Sequence, residues 1–411
     1  MKVLFLCGVF AAENEAEIIS HANRAVEYSA NRFQEKLICG FLEQGYNCSV
    51  LSAPFIGAYP SGSDIMFFKG FKESQDKYDY VYFCNIWGIR NASRASSLKA
   101  RMESFIEDED EEKLIVVYSP HTPFLQAAVY AKKKDPRIKI TIVVPDLPQY
   151  MNLNSKISIV YKVGKKYDIA KFEKLLVEVD SFVVLTEPMK DILKVGDRPC
   201  IVVEGIVETD VFETNKQKKT LLQKEEGVKY IVYTGKLNEK FGVKLLVDAF
   251  MLLEGSDYRL ILCGRGDMDA YIQEQCGKDS RIVALGQVTP EVAQEWVLKA
   301  DVLVNPRPNN EEYTKYSFPS KNIEYLASGN PVVAYMLDGM TERYREYIID
   351  IPLGNENELK NTIEAVLQRE KMQDYEPAFF EYARKNLRCS KVADRIVELY
   401  KTCKGNCFYD N

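Results

Sequence analysis

A lysine and a glutamate three residues apart, Lys321 and Glu324, open a predicted helix in the segment FPSKNIEYLASGNPVVAY. Pro319 suits the first position of that helix, where a missing N–H costs nothing, and Gly329 suits the left-handed residue that ends it. Residues three apart share one helix face. An ammonium with free backbone N–H groups can bind a diphosphate, and a carboxylate can accept both hydroxyls of a ribose. The alternative is an exposed ion pair, which the spacing alone favours.

The elements that must position this pair are strands alternating with helices. Apolar runs separated by amphipathic stretches are typical of parallel sheets that are covered on both faces. In one such stretch, GVKLLVDAFMLL, four apolar residues at helical spacing predict a helix that packs on a sheet: Val243, Leu246, Val247 and Phe250. The predicted strands are KVLFLC, YNCSVLS, YDYVYFC, KLIVVYS, IKITIVVP, DSFVVLT and PCIVVEG in the first half, and KYIVYTG, RLILCG, RIVALG, DVLVNP and PVVAY in the second.

The chain of 411 residues is longer than a single hydrophobic core usually supports. We therefore predict two doubly wound α/β domains, residues 1–205 and 206–391, joined where the sequence turns polar at VETDVFETNKQKK. The last segment, RCSKVADRIVELYKTC, has a helical apolar pattern. We expect a terminal helix, about 392–411, to return to the first domain.

Ligands of open parallel sheets collect beyond the carboxyl ends of the strands. In the second domain these positions hold Gly235 and Lys236 with Lys240 close behind, then Gly286 to Val288, and then Arg307 before the tyrosine-rich NNEEYTKY. All of these loops, with the helix that carries Lys321, are expected at one edge of the second sheet. A site for a small anionic ligand is therefore predicted there.

Composition narrows the classes of partner and compartment. A net charge of −6 gives no global electrostatic reason to bind nucleic acid. The ten cysteines, several inside apolar runs, favour reduced, buried thiols in a cytoplasmic protein, and with two histidines the chain offers few metal ligands. The opening VLFLCGVF is too short for a signal peptide or a membrane span. Lysine clusters in YAKKKDPRIK and VYKVGKKYDIAKFEK leave open a peripheral contact with the inner face of a membrane.

Several segments of the second half also carry a family resemblance. The run ADVLVNPRP before FPSKNIEYLASGNPVVAY, together with YTGKLNEKFGVKLLVDAF, LILCGRGD and IVALGQVTPEVAQEWVLKADVLV, resembles the donor-binding region of family-4 retaining glycosyltransferases of the GT-B fold. The resemblance implies two Rossmann-like domains that face each other across a deep cleft. The first would bind the acceptor, and the second would bind the nucleotide-sugar donor.

The resemblance assigns roles residue by residue. It implies that Glu324 binds the ribose and that Lys321, Lys236 and Lys240 meet the phosphates, with Lys236 standing where the family usually has an arginine. It extends the expected donor site over the neighbouring loop positions: Gly235, Val288, Ser317, Phe318 and Pro319. One position departs from the family, because Tyr316 replaces the first glutamate of its usual pair.

His121 follows the strand KLIVVYS and resembles the active-site histidine of the family, against the alternative of a structural histidine. The function implied is transfer of a sugar, with retention and without metal or cofactor, to a glycan or lipid-linked acceptor in bacterial surface polysaccharide assembly. Two rivals stay open: a degenerate nucleotide-sugar-binding or scaffold subunit, for which Tyr316 argues, and a sugar-nucleotide epimerase.

Overall fold

The computed structural model describes residues 1–23, 28–71, 78–109, 112–150, 159–207, 224–352, 354–368 and 375–405. Contacts between backbone positions divide the chain into two units. The first unit comprises Met1–Ile206 and Leu387–Asn411, and the second comprises Val207–Asn386. Most of the predicted polar join falls within residues 208–223, which lie outside the described residues.

The first unit is built on a parallel sheet of seven strands in the order β4-β2-β1-β6-β7-β8-β9. Every residue of the central strand β6 is buried, as expected for a strand covered on both faces. A separate antiparallel pair is formed by β3 and β5. The strands are β1 (Lys2–Cys7), β2 (Asn47–Ser52), β3 (Phe67–Phe68), β4 (Asp79–Tyr80), β5 (Phe83–Cys84), β6 (Lys113–Tyr118), β7 (Ile138–Val144), β8 (Ser181–Val184) and β9 (Cys200–Val202).

One strand prediction of the first half is wrong in detail. The run YDYVYFC does not form a single strand, because the chain leaves the edge of the main sheet after two residues. Its first part, β4, pairs in parallel with β2, whereas its second part, β5, pairs antiparallel with β3. An apolar run therefore predicted extended backbone here, but not which sheet each half would join.

The helices of the first unit include one that comes from the far end of the chain. They are α1 (Glu15–Ser20), α2 (Tyr28–Glu43), α3 (Arg90–Arg101), α4 (Glu103–Ile106), α5 (Thr122–Lys134), α6 (Ile159–Leu176), α7 (Met189–Ile192) and, at the end, α14 (Cys389–Gly405). The terminal helix α14 packs against α2 and against β7, β8 and β9. Arg395 of α14 donates a hydrogen bond of 2.8 Å to the carbonyl of Val202 at the end of β9. The returning segment begins at Leu387, a few residues before the expected start at 392.

The second unit is a parallel sheet of six strands in the order β12-β11-β10-β13-β14-β15. The strand order reverses between β10 and β13, which makes the carboxyl end of β10 the topological switch point. The strands are β10 (Lys229–Thr234), β11 (Tyr258–Cys263), β12 (Ile282–Gly286), β13 (Val302–Asn305), β14 (Val332–Ala334) and β15 (Ile349–Asp350). The five strands predicted from the second half of the sequence correspond to β10 to β14.

The helices of the second unit flank this sheet. They are α8 (Val243–Met251), α9 (Asp269–Lys278), α10 (Pro290–Lys299), α11 (Ser320–Leu326), α12 (Glu356–Leu367) and α13 (Tyr375–Asn386), with short 3-10 helices at Glu239–Phe241 and Glu312–Tyr316. The predicted apolar stripe of α8 is confirmed, since Val243, Leu246, Val247 and Phe250 are all buried. Burying one such side chain contributes about 1.5–3 kcal/mol, so this stripe fixes the helix on the sheet.

Candidate functional site

Three loops at the carboxyl edge of the second sheet are joined by backbone hydrogen bonds. The amide of Gly235, after β10, donates to the carbonyl of Cys263 at 2.8 Å, and the amide of Gly264, after β11, donates to Gly286 at 2.8 Å. A third bond of 2.9 Å runs from the amide of Leu237 to the carbonyl of Arg265. The ends of β10, β11 and β12 therefore form one connected edge at the switch point.

Two glycines allow these loops to approach so closely. A Cβ atom at Gly264 would lie 1.8 Å from the carbonyl oxygen of Gly235, and one at Gly266 would lie 2.1 Å from that of Leu237. Gly264 also has a φ of +142°, a conformation that side-chain-bearing residues rarely adopt. The segment LILCGRGD can therefore pack directly on the loop after β10 because Gly264 and Gly266 have no side chains.

Asp267 fastens the same turn from the other side. Its carboxylate accepts hydrogen bonds of 2.9 Å from the side chain of Asn238 and from the amide of Glu239. The turn and the loop after β10 are thereby linked by side chain as well as by backbone.

The helix α11 is held at this edge by its buried face. The hydroxyl of Tyr325 accepts a hydrogen bond of 2.8 Å from the amide of Thr234, the last residue of β10. The side-chain oxygen of Asn322 accepts one of 2.6 Å from Asn305, the last residue of β13. Because both anchors are buried strand-end contacts, they fix the rotation of the helix and leave its opposite face towards solvent.

Lys321 and Glu324 lie on that outward face, as their spacing predicted. Their side chains are 38% and 51% exposed, and the ammonium lies 2.6 Å from a carboxylate oxygen of Glu324. The stem of Lys321 reaches over the loop after β10, since its Cε lies 3.8 Å from where a Cβ of Gly235 would be. Burial raises the pKa of Cys263 to about 11, and the nearby charge of Lys321 opposes that rise. The structure thus brings Lys321, Glu324 and Gly235 together at the ends of β10 and β11.

The predicted start of this helix is off by one residue. Pro319 is not the first helical residue but the N-cap, with extended backbone (φ −75°, ψ 95°), and α11 begins at Ser320. The cause is the run SFP, in which the buried Phe318 packs on Tyr344 with 5.0 Å between ring centroids and holds the entering chain extended. Gly329 has the expected left-handed backbone, with a φ of +81°.

The other predicted donor residues occupy neighbouring loops. Lys236 is exposed directly after Gly235, and its carbonyl accepts a hydrogen bond of 3.0 Å from Tyr233. Lys240 is exposed in the 3-10 helix Glu239–Phe241, with its ammonium 5.2 Å from the ring centroid of Phe241. Val288 is half-buried two residues after β12. Among the described residues, no hydrogen bond or ion pair joins Lys240 to Lys321 or Glu324.

Arg307, a predicted strand-end residue to which the family resemblance gave no role, lies at the same edge. Its guanidinium donates a hydrogen bond of 3.0 Å to the hydroxyl of Ser317 and lies 5.2 Å from the ring of Tyr313. Its Nε is buried with no hydrogen-bond partner among the described residues. The signal in the sequence was its place directly after DVLVNP, the same strand-end logic that selected Lys236. Arg307 adds a positive charge beside Ser317 at this edge.

His121 belongs to the first unit, where it is the N-cap of α5 at the carboxyl edge of the other sheet. Its ring packs edge-on against Phe55, which follows β2, with 5.5 Å between centroids. Phe55 in turn covers Gly8, which follows β1, and a Cβ atom there would lie 2.5 Å from the Phe55 ring. The loops after β1, β2 and β6 therefore meet at His121.

The surroundings of His121 keep its imidazole neutral. Burial holds the pKa of His121 well below its usual range, and the positive charges of Arg94 and Arg90 on α3 lower it further. Arg94 is itself 1% exposed and donates a hydrogen bond of 2.6 Å to the carbonyl of Pro54. A neutral imidazole offers one donor and one acceptor, and the buried Nδ1 has no partner among the described residues.

The nine described cysteines are free thiols, and Cys407 lies outside the described residues. Four of them are buried, four are half-buried and Cys39 is exposed, so the expectation of buried thiols is met only in part. None of the helices in the described ranges has the length and apolar character that a membrane span requires.

Comparison with known proteins agrees with this architecture. A family model described as "Glycosyl transferases group 1" matches residues 228–369, which include β10 to β15 and α11. The phosphatidyl-myo-inositol mannosyltransferase of Mycobacterium leprae is 27% identical over 179 residues, which are 42% of this chain and 46% of that protein. The chain spans less than half of the length of the curated relatives it matches.

Solved structures resemble the chain over nearly its full length. Sucrose-phosphate synthase from Thermosynechococcus elongatus superposes with a TM-score of 0.63 at 13% identity, covering 99% of this chain and 100% of the other. HepE of Anabaena, solved in complex with UDP, gives a TM-score of 0.60 at 13% identity and covers 98% of this chain and 100% of the other. The fold is therefore GT-B, with one Rossmann-like sheet in each unit. The match to the glycosyl transferases group 1 family covers residues 228–369, which lie in the second unit.

Proposed function

We propose that this protein is a retaining glycosyltransferase that moves a sugar from a nucleoside-diphosphate sugar to a glycan or lipid-linked acceptor in bacterial surface polysaccharide assembly. The observation that carries the proposal is the position of Lys321: its stem lies over Gly235 at the switch point of a sheet that matches the glycosyltransferase family. The complex of HepE with UDP supports a nucleoside diphosphate as the ligand of such a fold. The mannosyltransferase relative, by its name, supports a lipid-linked acceptor.

The donor half of the reaction needs positive charge where the leaving group becomes negative. In the proposed complex Lys321, Lys236 and Lys240 surround the diphosphate and supply its positively charged hydrogen-bond donors. Glu324 exchanges its ion pair with Lys321 for the two hydroxyls of the ribose. An exposed ion pair of this kind is worth under ~1 kcal/mol, so breaking it costs little compared with the hydrogen bonds formed.

We assign His121 to the transferred sugar rather than to proton transfer. A neutral imidazole binds sugar hydroxyls without adding a positive charge, and the lowered pKa keeps it neutral at physiological pH. In the retaining mechanism that the family resemblance implies, the acceptor hydroxyl attacks on the side from which the diphosphate leaves. The departing phosphate oxygen then takes the acceptor proton, and the charge of the leaving group is met by lysines without a metal ion.

In this proposal α6 contacts the cytoplasmic surface of the membrane that holds the lipid-linked acceptor. On that helix Val163 and Tyr167 are 63% and 72% exposed, and Lys166 is exposed beside them. An aromatic ring and an ammonium on one exposed face suit the interface of an anionic membrane. The α5 cluster is less suitable, because Lys132 and Lys133 are paired with Asp180 and Glu178. Flotation with anionic vesicles tests this part, and Tyr167→Ala should reduce the bound fraction.

A second candidate, a subunit that binds the nucleotide sugar without turning it over, is favoured by Tyr316. It ends the 3-10 helix Glu312–Tyr316 just before α11, where the family usually has its first glutamate. Release of free nucleoside diphosphate from the donor separates the two, since a binding-only protein releases none.

Calorimetry on two variants tests the donor site directly. A panel of uridine, guanosine, adenosine, cytidine and thymidine diphosphates first selects the preferred base. Lys321→Ala should then lower the affinity for that diphosphate by roughly ten- to a hundredfold, because a charge-assisted hydrogen bond worth ~1.5–3 kcal/mol is lost. The affinity for the nucleoside should not change. Glu324→Gln should weaken the nucleoside and the diphosphate alike.

A matched control comes from another exposed ion pair of the same unit. Lys278 and Glu274 on α9 lie 2.6 Å apart, so Lys278→Ala removes a similar pair away from the edge. It should leave both affinities unchanged. Wild-type affinities in Lys321→Ala and Glu324→Gln would leave the pair as a surface contact and overturn the assignment.

A further inference from the structure

Two thiols and a carboxylate converge where the terminal helix docks on the first unit. Cys39 and Glu43 lie one turn apart on α2, and Cys389 is the first residue of α14. Their ligand atoms all lie within 4.8 Å of one another. One oxygen of Glu43 is 3.4 Å from the sulfur of Cys39, and the other is 3.3 Å from the sulfur of Cys389. The cluster therefore joins segments that are distant in sequence.

The backbone around the cluster holds it in place. A Cβ atom at Gly40 would lie 2.1 Å from the carbonyl oxygen of Cys389, so α2 and the start of α14 touch through a glycine. One turn further, the carboxylate of Asp394 accepts hydrogen bonds of 2.8 Å from Gln44 and 3.1 Å from Tyr46. Close backbone contact and these bonds fix the distance between the two thiols without any ligand.

From these contacts we propose that Cys39, Glu43 and Cys389 form a zinc(II) site that fastens α14 to α2. A tetrahedral zinc ion with Zn–S near 2.3 Å and Zn–O near 2.1 Å separates its sulfur and oxygen ligands by about 3.6 Å. Each sulfur lies within a few tenths of an ångström of that separation from one of the two Glu43 oxygens. Two thiolates select zinc over magnesium, manganese or calcium, which prefer oxygen. Cys39 and Glu43 are exposed, so solvent water can take the fourth position.

Electrostatics favours a cation at this place. The two thiols and the carboxylate are all potential anions, and their ligand atoms lie within 4.8 Å of one another. Each thiol donates a hydrogen bond to one oxygen of the Glu43 carboxylate. A zinc ion would displace both protons and remove the repulsion among the three anionic ligands, so its binding should strengthen as pH rises.

The site is structural and separate from the transfer reaction. On α2, Gln34 hydrogen-bonds the amide of Gly8 at the carboxyl edge of the sheet. Glu43 lies nine residues further along the helix, about 13 Å at 1.5 Å per residue. The zinc ion would therefore stabilise the docking of α14 without touching His121, which meets Phe55 at that edge.

Cobalt(II) titration of the full, metal-stripped chain in reductant tests the proposal, since thiolate ligands give cobalt a charge-transfer band and tetrahedral coordination gives intense visible bands. We expect one cobalt ion per chain, displaced by zinc, with both signals lost in Cys39→Ser and in Cys389→Ser. Cys276→Ser, a half-buried thiol on α9, is the control and should bind as wild type. Glu43→Gln should weaken binding tenfold or more while keeping both thiols.

Two further measurements keep the result decisive. Zinc should protect two thiols per chain from a thiol reagent in the wild type. At equal zinc concentration it should raise the unfolding temperature of the wild type more than that of Glu43→Gln. Circular dichroism of each variant establishes that it is folded. An absence of thiolate–cobalt absorption in the wild type at micromolar cobalt, or its persistence in folded Cys39→Ser and Cys389→Ser, would overturn the proposal.

Discussion

Replacing Gly264 by alanine should open the carboxyl edge of the second sheet. The new Cβ would lie 1.8 Å from the carbonyl oxygen of Gly235, and atoms of these types essentially never approach within 3.0 Å. The loops after β10 and β11 must therefore separate by more than an ångström. Since the obstacle is backbone and not a flexible side chain, no rotamer change relieves it.

The magnitude follows from two contributions. Alanine at a φ of +142° costs on the order of 1–3 kcal/mol in backbone strain. Separating the loops also weakens the bonds from Gly235 to Cys263 and from Gly264 to Gly286, each worth about 0.5–1.5 kcal/mol. We expect a loss of about 2–4 kcal/mol in the free energy of unfolding of the second unit.

The effect on ligand binding is the more specific expectation. The displacement moves Gly235 away from the stem of Lys321, and a misplacement of about 1 Å in a preorganised site costs on the order of a hundredfold in rate. The affinity for the preferred nucleoside diphosphate should fall roughly ten- to a hundredfold, measured by calorimetry at a temperature where the variant is folded.

Gly277→Ala is the matched control, because Gly277 lies in α9 with no atom within 4 Å of a new Cβ. Alanine in a helix there should stabilise the unit by up to ~1 kcal/mol and leave binding unchanged. If Gly264→Ala had the same free energy of unfolding and the same nucleotide affinity as Gly277→Ala, the close approach of these loops would have no part in the site.

Three more outcomes are expected. Asp135→Asn removes the counter-charge of the fully buried Lys113, whose ammonium lies 2.9 Å from the Asp135 carboxylate, and should lower the free energy of unfolding in denaturant by about 3–5 kcal/mol. Glu381→Gln, in an exposed pair with Lys385, should leave the midpoint unchanged, and equal midpoints for the two variants would refute a stabilising role of the buried pair. Because the pKa of His121 is lowered in the folded state, its contribution to stability is present above the unfolded pKa near 6.5 and is lost as pH falls below it, by up to ~1.4 kcal/mol per pH unit, a slope that His121→Gln should flatten. His121→Ala should lower turnover much more than it weakens diphosphate binding, and equal losses in both would make the residue structural. Turnover at 25 °C should persist in excess EDTA, even though removing zinc from the α14 site lowers the unfolding temperature. Activity that vanishes with EDTA and returns with magnesium or manganese would exclude the proposed metal-independent chemistry.

The sequence by itself determined the secondary-structure elements and which residues share one face of a helix. The strands KYIVYTG and RLILCG, the apolar stripe of α8 and the shared face of Lys321 and Glu324 were all readable, because burial imposes a period on residues that are close along the chain. The strand-end rule also selected Gly235, since parallel strands bring their carboxyl ends to one edge. These inferences needed no knowledge of distant contacts.

The tertiary structure decided which distant residues meet. YDYVYFC was divided between two sheets by its pairing partners, and Phe318, packed on Tyr344, shifted the start of α11. Arg307 reached Ser317, and Cys389 came to lie against Cys39 on a helix near the other end of the chain. Such contacts depend on how closely two backbones pack, as at Gly40 and Gly264, and a one-dimensional pattern records the presence of a glycine but not the atom that comes to fill its space.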